Sequence, residues 1–414
     1  MATARLPAAL AAALAGTLLG CGAPAAGQEG SHGLTIGLLF PGTEVARWEQ
    51  FDRPLLERRI RELCPDCRVL AANAGGETAV QQQQFEAMIV NGADVLVLTA
   101  VDATAVGHSV ADAAELGIPV VAYDRLAEGP VAAYSSFAND KVGGLLGHAL
   151  LRALGDRPSR PRIVMMNGPE TDPNAALFRQ GALDVLADRV TIGREYHVRN
   201  WATAAAFTDM MGAIAELGAE HIDGVLAAND NIAAGVVAAL RADGVSPLPP
   251  VTGQDANLPA LQRILDGRQY QTVYKPYRLE AYAAAEMALA LGRGRDPGEL
   301  APDRVANETT RDIPAALAEP VSVTAGNLEE TVVADGLYGV GQICTPRYES
   351  ACARAGLVEA SQTGSRGARG ARGARGARGA RGDGARVGRT RADAAAARGP
   401  QALRRRAGAH RHRA

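Results

Sequence analysis

Lysine is nearly absent. Lys141 and Lys275 are the only two among 43 basic residues of this 414-residue chain. With so much Ala and Gly alongside, the arginine excess reads as the codon bias of a GC-rich genome, not as a nucleic-acid partner. Aromatic residues make up only 4%, and the tryptophans are two, Trp48 and Trp201. Beyond the N-terminal stretch no apolar run is long enough to span a bilayer. No GxSxG elbow, HExxH or phosphate-binding loop occurs, and the seven histidines lack metal-like spacing. Gly143-Gly144-Leu145-Leu146-Gly147 lies within a helical pattern instead of opening a helix after a strand, so it is a poor dinucleotide loop. Nothing therefore nominates an enzyme, a cofactor or a metal.

What is present is apolar enough to fold. Hydrophobic residues are 47% of the chain, which excludes a wholly disordered protein. The net charge of −2 conceals two unlike parts: residues 361–414 carry +13 and the preceding 360 carry −15. Within residues 358–414 a Gly-Ala-Arg repeat runs with no proline beside its glycines, which argues against collagen and for a disordered basic tail. Its Arg381-Gly382-Asp383 arises by one change in such a repeat.

Residues 1–20 have a short basic start and an apolar run from Leu6 to Leu19, the pattern of a secretory signal. It ends Leu18-Leu19-Gly20-Cys21, which resembles a bacterial lipobox. Cys21 is thus the expected lipidation site, with residues 22–32 as a flexible tether. Outside the cytosol the other cysteines are expected as disulfides, Cys64 with Cys67 and Cys344 with Cys352. The first pair follows a helical segment and precedes a strand, as a structural turn does.

From residue 34 short apolar runs alternate with helical stretches. Strands are expected at 34–40, 68–71, 94–100 and 118–124, and again at 162–168, 191–197, 223–230, 250–255 and 271–276. This rhythm implies parallel sheets covered by helices on both faces. The pattern runs twice, so the fold class is α/β with two lobes. Several strands end in polar residues: Asp124-Arg125, Asn229-Asp230 and Gln254-Asp255. Ligands of open α/β sheets bind beyond the strands' carboxyl ends. Planar Asp, Asn and Arg groups suit pairs of sugar hydroxyls, and aromatic faces suit sugar C–H surfaces. For Asp124, Asn229 and Asp255, helix N-capping is the competing role. Acid–base chemistry by a pair such as Asp124 and Asp255 is a further alternative.

The segments Ala46-Arg47-Trp48, Val121-Ala122-Tyr123-Asp124-Arg125, Asn229-Asp230, Gly253-Gln254-Asp255-Ala256 and Val273-Tyr274-Lys275-Pro276 resemble the periplasmic sugar-binding proteins of ABC importers. The likeness runs from about residue 34 to 337 and is nearest the D-xylose-binding branch. It implies two Rossmann-like lobes joined by a hinge, a type I periplasmic binding protein. The first lobe would comprise residues 33–140 plus 277–312, and the second 141–276 plus 313–357. It implies sugar contacts from Arg47, Trp48, Asp124, Arg125, Asp172, Asn174, Trp201, Asn229, Asp255 and Lys275. The expected product is a lipid-anchored, extracytoplasmic, monomeric receptor delivering a monosaccharide, D-xylose first, to ABC permease subunits. Another monosaccharide, or a role in presenting sugar to a chemoreceptor or sensor kinase, stays open. A sugar-responsive transcription regulator would need a helix-turn-helix where the signal lies.

Overall fold

The computed structural model describes residues 33–155 and 160–358. The expected signal, Cys21, the tether up to residue 32 and the tail from residue 359 lie outside the described residues.

Continuous apolar runs build the first sheet. Its opening strands are β1 (Thr35–Phe40), β2 (Arg68–Asn73), β3 (Val95–Leu98), β4 (Val120–Tyr123) and β5 (Ala133–Phe137). Every residue of β3, β4 and β5 is buried. That burial on both faces is why these strands read as unbroken hydrophobic runs. Helices Arg53–Leu63, Thr78–Val90 and Gly107–Glu115 connect them. Gly117, at φ 75°, ends the last of these, and the chain enters β4 through Ile118-Pro119.

The second set comprises β6 (Arg162–Asn167), β7 (Thr191–His197), β8 (Gly224–Ala227) and β9 (Thr272–Tyr274). The expected strand at 250–255 reduces to two isolated parallel bridges, Val251 to Val225 and Gln254 to Val273. These stitch β8 to β9. Three more strands follow: β10 (Asp303–Val305), β11 (Ile313–Ala318) and β12 (Val321–Val323).

The seven-stranded sheet has the order β10-β11-β5-β4-β3-β1-β2, parallel except for β10. The second lobe carries β7-β6-β8 and the antiparallel pair β12-β9. One expectation is corrected. Residues from 313 were assigned to the second lobe, but β11 pairs in parallel with β5 of the first sheet. The chain crosses only at Glu319-Pro320, because Pro320 cannot continue the ladder and turns the strand out. Together with residues 138 and 275–276, this makes three connections between the lobes.

The glycines of the Gly143–Gly147 stretch serve packing. They lie in helix Asn139–Leu154, where a Cβ on Gly143 would strike the Phe178 carbonyl of helix Pro173–Leu186. A Cβ on Gly181, from the other side, would strike the Asp140 carbonyl. Both cysteine pairs form disulfides, Cys64–Cys67 in the turn before β2 and Cys344–Cys352 near the described C-terminus.

Candidate functional site

The ten residues expected at the site converge on one small cavity between the lobes. Val45, Phe178 and Gln254 complete its lining. A wider cleft opens outside it and shares Val45, Trp48, Arg125 and Trp201.

Backbone geometry aims these side chains. Asp124 ends β4 at φ 60°, a conformation that Asp tolerates better than most residues. The turn is held because the Ser136 hydroxyl and the Tyr134 phenol both donate to the Asp124 carbonyl, at 2.7 and 2.8 Å. Asp255, at φ 94°, is fixed by its own N–H to Val273 and by the Tyr277 phenol donating to its carbonyl. Asn229 does cap a helix: its Oδ1 accepts from Ile232 N at 2.9 Å while the residue also lines the cavity. Asp172 likewise caps helix Pro173–Leu186, with Pro173 in the first turn, where a missing N–H costs nothing. Asp124 and Asp255 cap no helix. The Trp201 indole lies against Gly168, where any Cβ would fall inside the ring.

Arg47 organises the first-lobe wall. Its Nε and Nη2 donate to Asp52 at 2.8 and 2.7 Å, Nη1 to Asp124 Oδ2 at 2.8 Å and Nη2 to Glu280 at 2.5 Å. The guanidinium also stacks between the rings of Trp48 and Tyr277, 4.4 and 4.3 Å from their centroids. Lys275 stands between Asp124 and Asp255, 3.5 and 3.4 Å away. Several links cross between the lobes. Arg125 Nε lies 2.7 Å from Asp172 Oδ2, and Asn174 Nδ2 donates to Asp124. The Trp201 indole N–H donates to the same Asp172 oxygen at 3.1 Å.

Burial alone would raise the Asp124 pKa, but Lys275, Arg47 and Arg125 together outweigh it and hold the carboxyl at about 2. Burial dominates at Asp172 and raises it, against the pull of Arg125. The cavity lining carries three cations, Arg47, Arg125 and Lys275, and three carboxylates, Asp124, Asp172 and Asp255. Its formal charges therefore cancel. The buried Gln254 Oε1 makes no hydrogen bond within the protein, and Asp255 Oδ1 and Arg125 Nε have only their ion-pair contacts to Lys275 and Asp172. Such a lining suits an uncharged ligand with several hydroxyls, because unmet polar atoms in a dry site are costly until a partner arrives.

Residues 36–296 match the periplasmic binding protein domain. The chain belongs to that family. It is a binding protein and not an enzyme. The D-xylose-binding periplasmic protein of Escherichia coli (strain K12) is 35% identical over 309 residues, 73% of this chain and 90% of that one. The multiple sugar-binding periplasmic receptor ChvE of Rhizobium radiobacter is 29% identical, covering 75% and 92%. Among solved structures, an ABC transporter solute-binding protein from Clostridium phytofermentans with bound β-D-glucose superposes with a TM-score of 0.67. It has 28% identity and covers 75% of this chain and 99% of that one.

This periplasmic binding protein holds residues that sequence reasoning missed. Val45 and Phe178 line the cavity, yet each reads as an ordinary core hydrophobe. Asp52, Tyr123 and Glu280 form a fully buried layer under Arg47, and the Tyr123 phenol donates to Asp52. The Glu280 position could have been suspected: a carboxylate one turn beyond Lys275-Pro276, amid alanines, on a helix packed against the first sheet.

Proposed function

We propose that this chain captures a neutral monosaccharide between its lobes, D-xylose first, and delivers it to the permease of an ABC importer. The observation that carries the reading is the cavity lining: balanced charges, unmet polar atoms and both tryptophans of the chain in one small enclosed space. The relatives named D-xylose-binding and multiple sugar-binding support a sugar, and the glucose-bound neighbour shows why D-xylose must be tested against hexoses.

Ligand contacts from Asp124, Arg125 and Arg47 on one lobe and Asp172, Asn174 and Asn229 on the other favour the closed arrangement by binding both lobes at once. Planar carboxylate and guanidinium groups reach the sugar hydroxyls, and Trp48 and Trp201 offer apolar faces to the ring. A micromolar receptor needs about −8 kcal/mol, and a few charge-assisted hydrogen bonds at ~1.5–3 kcal/mol each reach that scale. Cys21 would hold the receptor on the outer face of the membrane as a monomer on a lipid anchor, from which the closed form reaches the permease.

Calorimetric titration of the protein with D-xylose, D-glucose, D-ribose, L-arabinose and D-galactose tests this. Tightest binding by D-xylose is expected. Tighter binding by another sugar reassigns the ligand, and no binding by any of them defeats the sugar reading.

A further inference from the structure

Beneath the cavity wall one guanidinium faces three carboxylates. Arg47 touches Asp52 through Nε and Nη2, Asp124 through Nη1 and Glu280 through Nη2. Four of its five N–H bonds are directed by these contacts, which leaves one hydrogen on Nη1 for the cavity. Glu280 comes from the first turn of helix Tyr277–Gly292, directly after the 275–276 crossover. It is 1% exposed. Its backbone carbonyl accepts from the Ser135 hydroxyl at 2.8 Å, so β5 locks the turn that carries it.

The charges around this point do not balance. Five carboxylates, Asp52, Asp124, Asp172, Asp255 and Glu280, face three cations, Arg47, Arg125 and Lys275. An excess of two carboxylates in a dry site favours a proton on the one with the fewest partners. Asp52 is held bidentately and also accepts from Tyr123, and Asp124 is gripped by Arg47, Lys275 and Asn174. Glu280 has a single side-chain partner, and its Oε1 is buried with none. An unmet hydroxyl there is less costly than the unmet half of a carboxylate.

We propose that Glu280 is a positioning residue of the ligand cavity that works as the neutral acid, its Oε2 fixing the Nη2 edge of Arg47. It orients the guanidinium without competing with Asp124 for its charge. Burial, with Asp124 and Asp52 adding to it, raises the Glu280 pKa well above the ordinary value, and Arg47 and Lys275 oppose this without reversing it. Neutral Glu280 lets Arg47 present its remaining N–H, and the full pull of its charge, to Asp124 and the ligand. The positioning role rests on the monosaccharide reading, whereas the protonation state does not.

Two measurements separate those parts. Infrared difference spectra of wild type minus Glu280→Gln at pH 7 should show the C=O stretch of a protonated carboxyl. Its absence would overturn the neutral-acid assignment whatever the protein binds. In calorimetric titration with D-xylose, Glu280→Gln should keep the dissociation constant within about threefold, because the amide reproduces the neutral acceptor. Glu280→Ala should weaken binding about tenfold, the scale of one lost hydrogen bond to a charged group. Equal weakening in both variants would overturn the neutral form, and undiminished binding in Glu280→Ala would overturn the positioning role. If the wild type binds no sugar, the sugar reading fails, and the infrared result still decides the state of Glu280.

Discussion

Asp124→Asn isolates the charge at the centre of the cavity. The amide keeps the shape of the side chain, and Asn tolerates φ 60° as well as Asp does. What it removes is the negative charge that Arg47 Nη1 meets at 2.8 Å and Lys275 Nζ at 3.5 Å. Asp124 is 4% exposed, so solvent screens these pairs little. Its pKa falls from 3.8 to about 2. At about 1.4 kcal/mol per unit that is on the order of 2 kcal/mol of stabilisation. Leaving two cations short of a buried counter-charge can carry the loss to ~3–5 kcal/mol. The pH dependence follows from the depressed pKa. The stabilisation is complete above pH 4 and disappears as the pH falls through about 2. Wild type should therefore exceed Asp124→Asn in urea-unfolding free energy by about 2–5 kcal/mol at pH 7. The gap should close towards pH 2. Sugar affinity should fall about tenfold to a hundredfold, as one charge-assisted hydrogen bond becomes neutral. Equal stability at pH 7, or a gap unchanged down to pH 2, would refute the electrostatic argument.

Other substitutions probe the supports. Gly168→Val substitutes no lining residue but puts a side chain where the Trp201 indole lies; calorimetry should show sugar binding weakened as far as Trp201→Ala weakens it. Asp230 underlies the Asp255 loop, accepting from Gln269 and from Asn257 N, and burial, only partly offset by Arg263, pushes its pKa up to about 7. A raised pKa means stability is complete below pH 4 and lost as the pH rises through 7, and Asp230→Asn should flatten that slope in thermal unfolding. Cys344→Ser with Cys352→Ser should cost about 2–3 kcal/mol in denaturant unfolding, the scale of opening a short loop.

The strand–helix rhythm was legible because strands buried on both faces must be continuously apolar, and because the polar residues that end them stand out. The site was legible for the same reason. Asp124, Asn229 and Asp255 sit where strands stop, and Trp48 and Lys275 are rare residue types in this chain. Membership of β11 was not legible. A strand's partners are set by pairing across the fold, and nothing in residues 313–323 marks the crossover except Pro320. Glu280 was hidden differently. A glutamate in an alanine-rich helix ordinarily faces water, and only the packing of Tyr277–Gly292 on the first sheet turns it inward. The dual place of Asn229 explains why capping and lining were inseparable beforehand: its side chain caps a helix and lines the cavity at once.

Trp48 and Trp201 are the only tryptophans in the chain, and both line the cavity. Intrinsic tryptophan emission therefore reports on this site alone. Titration with D-xylose should shift the emission saturably, with half-saturation in the micromolar range, and the shift should be abolished in Asp124→Ala. Emission unchanged by millimolar D-xylose and by each of the other four sugars would contradict a monosaccharide site between the lobes.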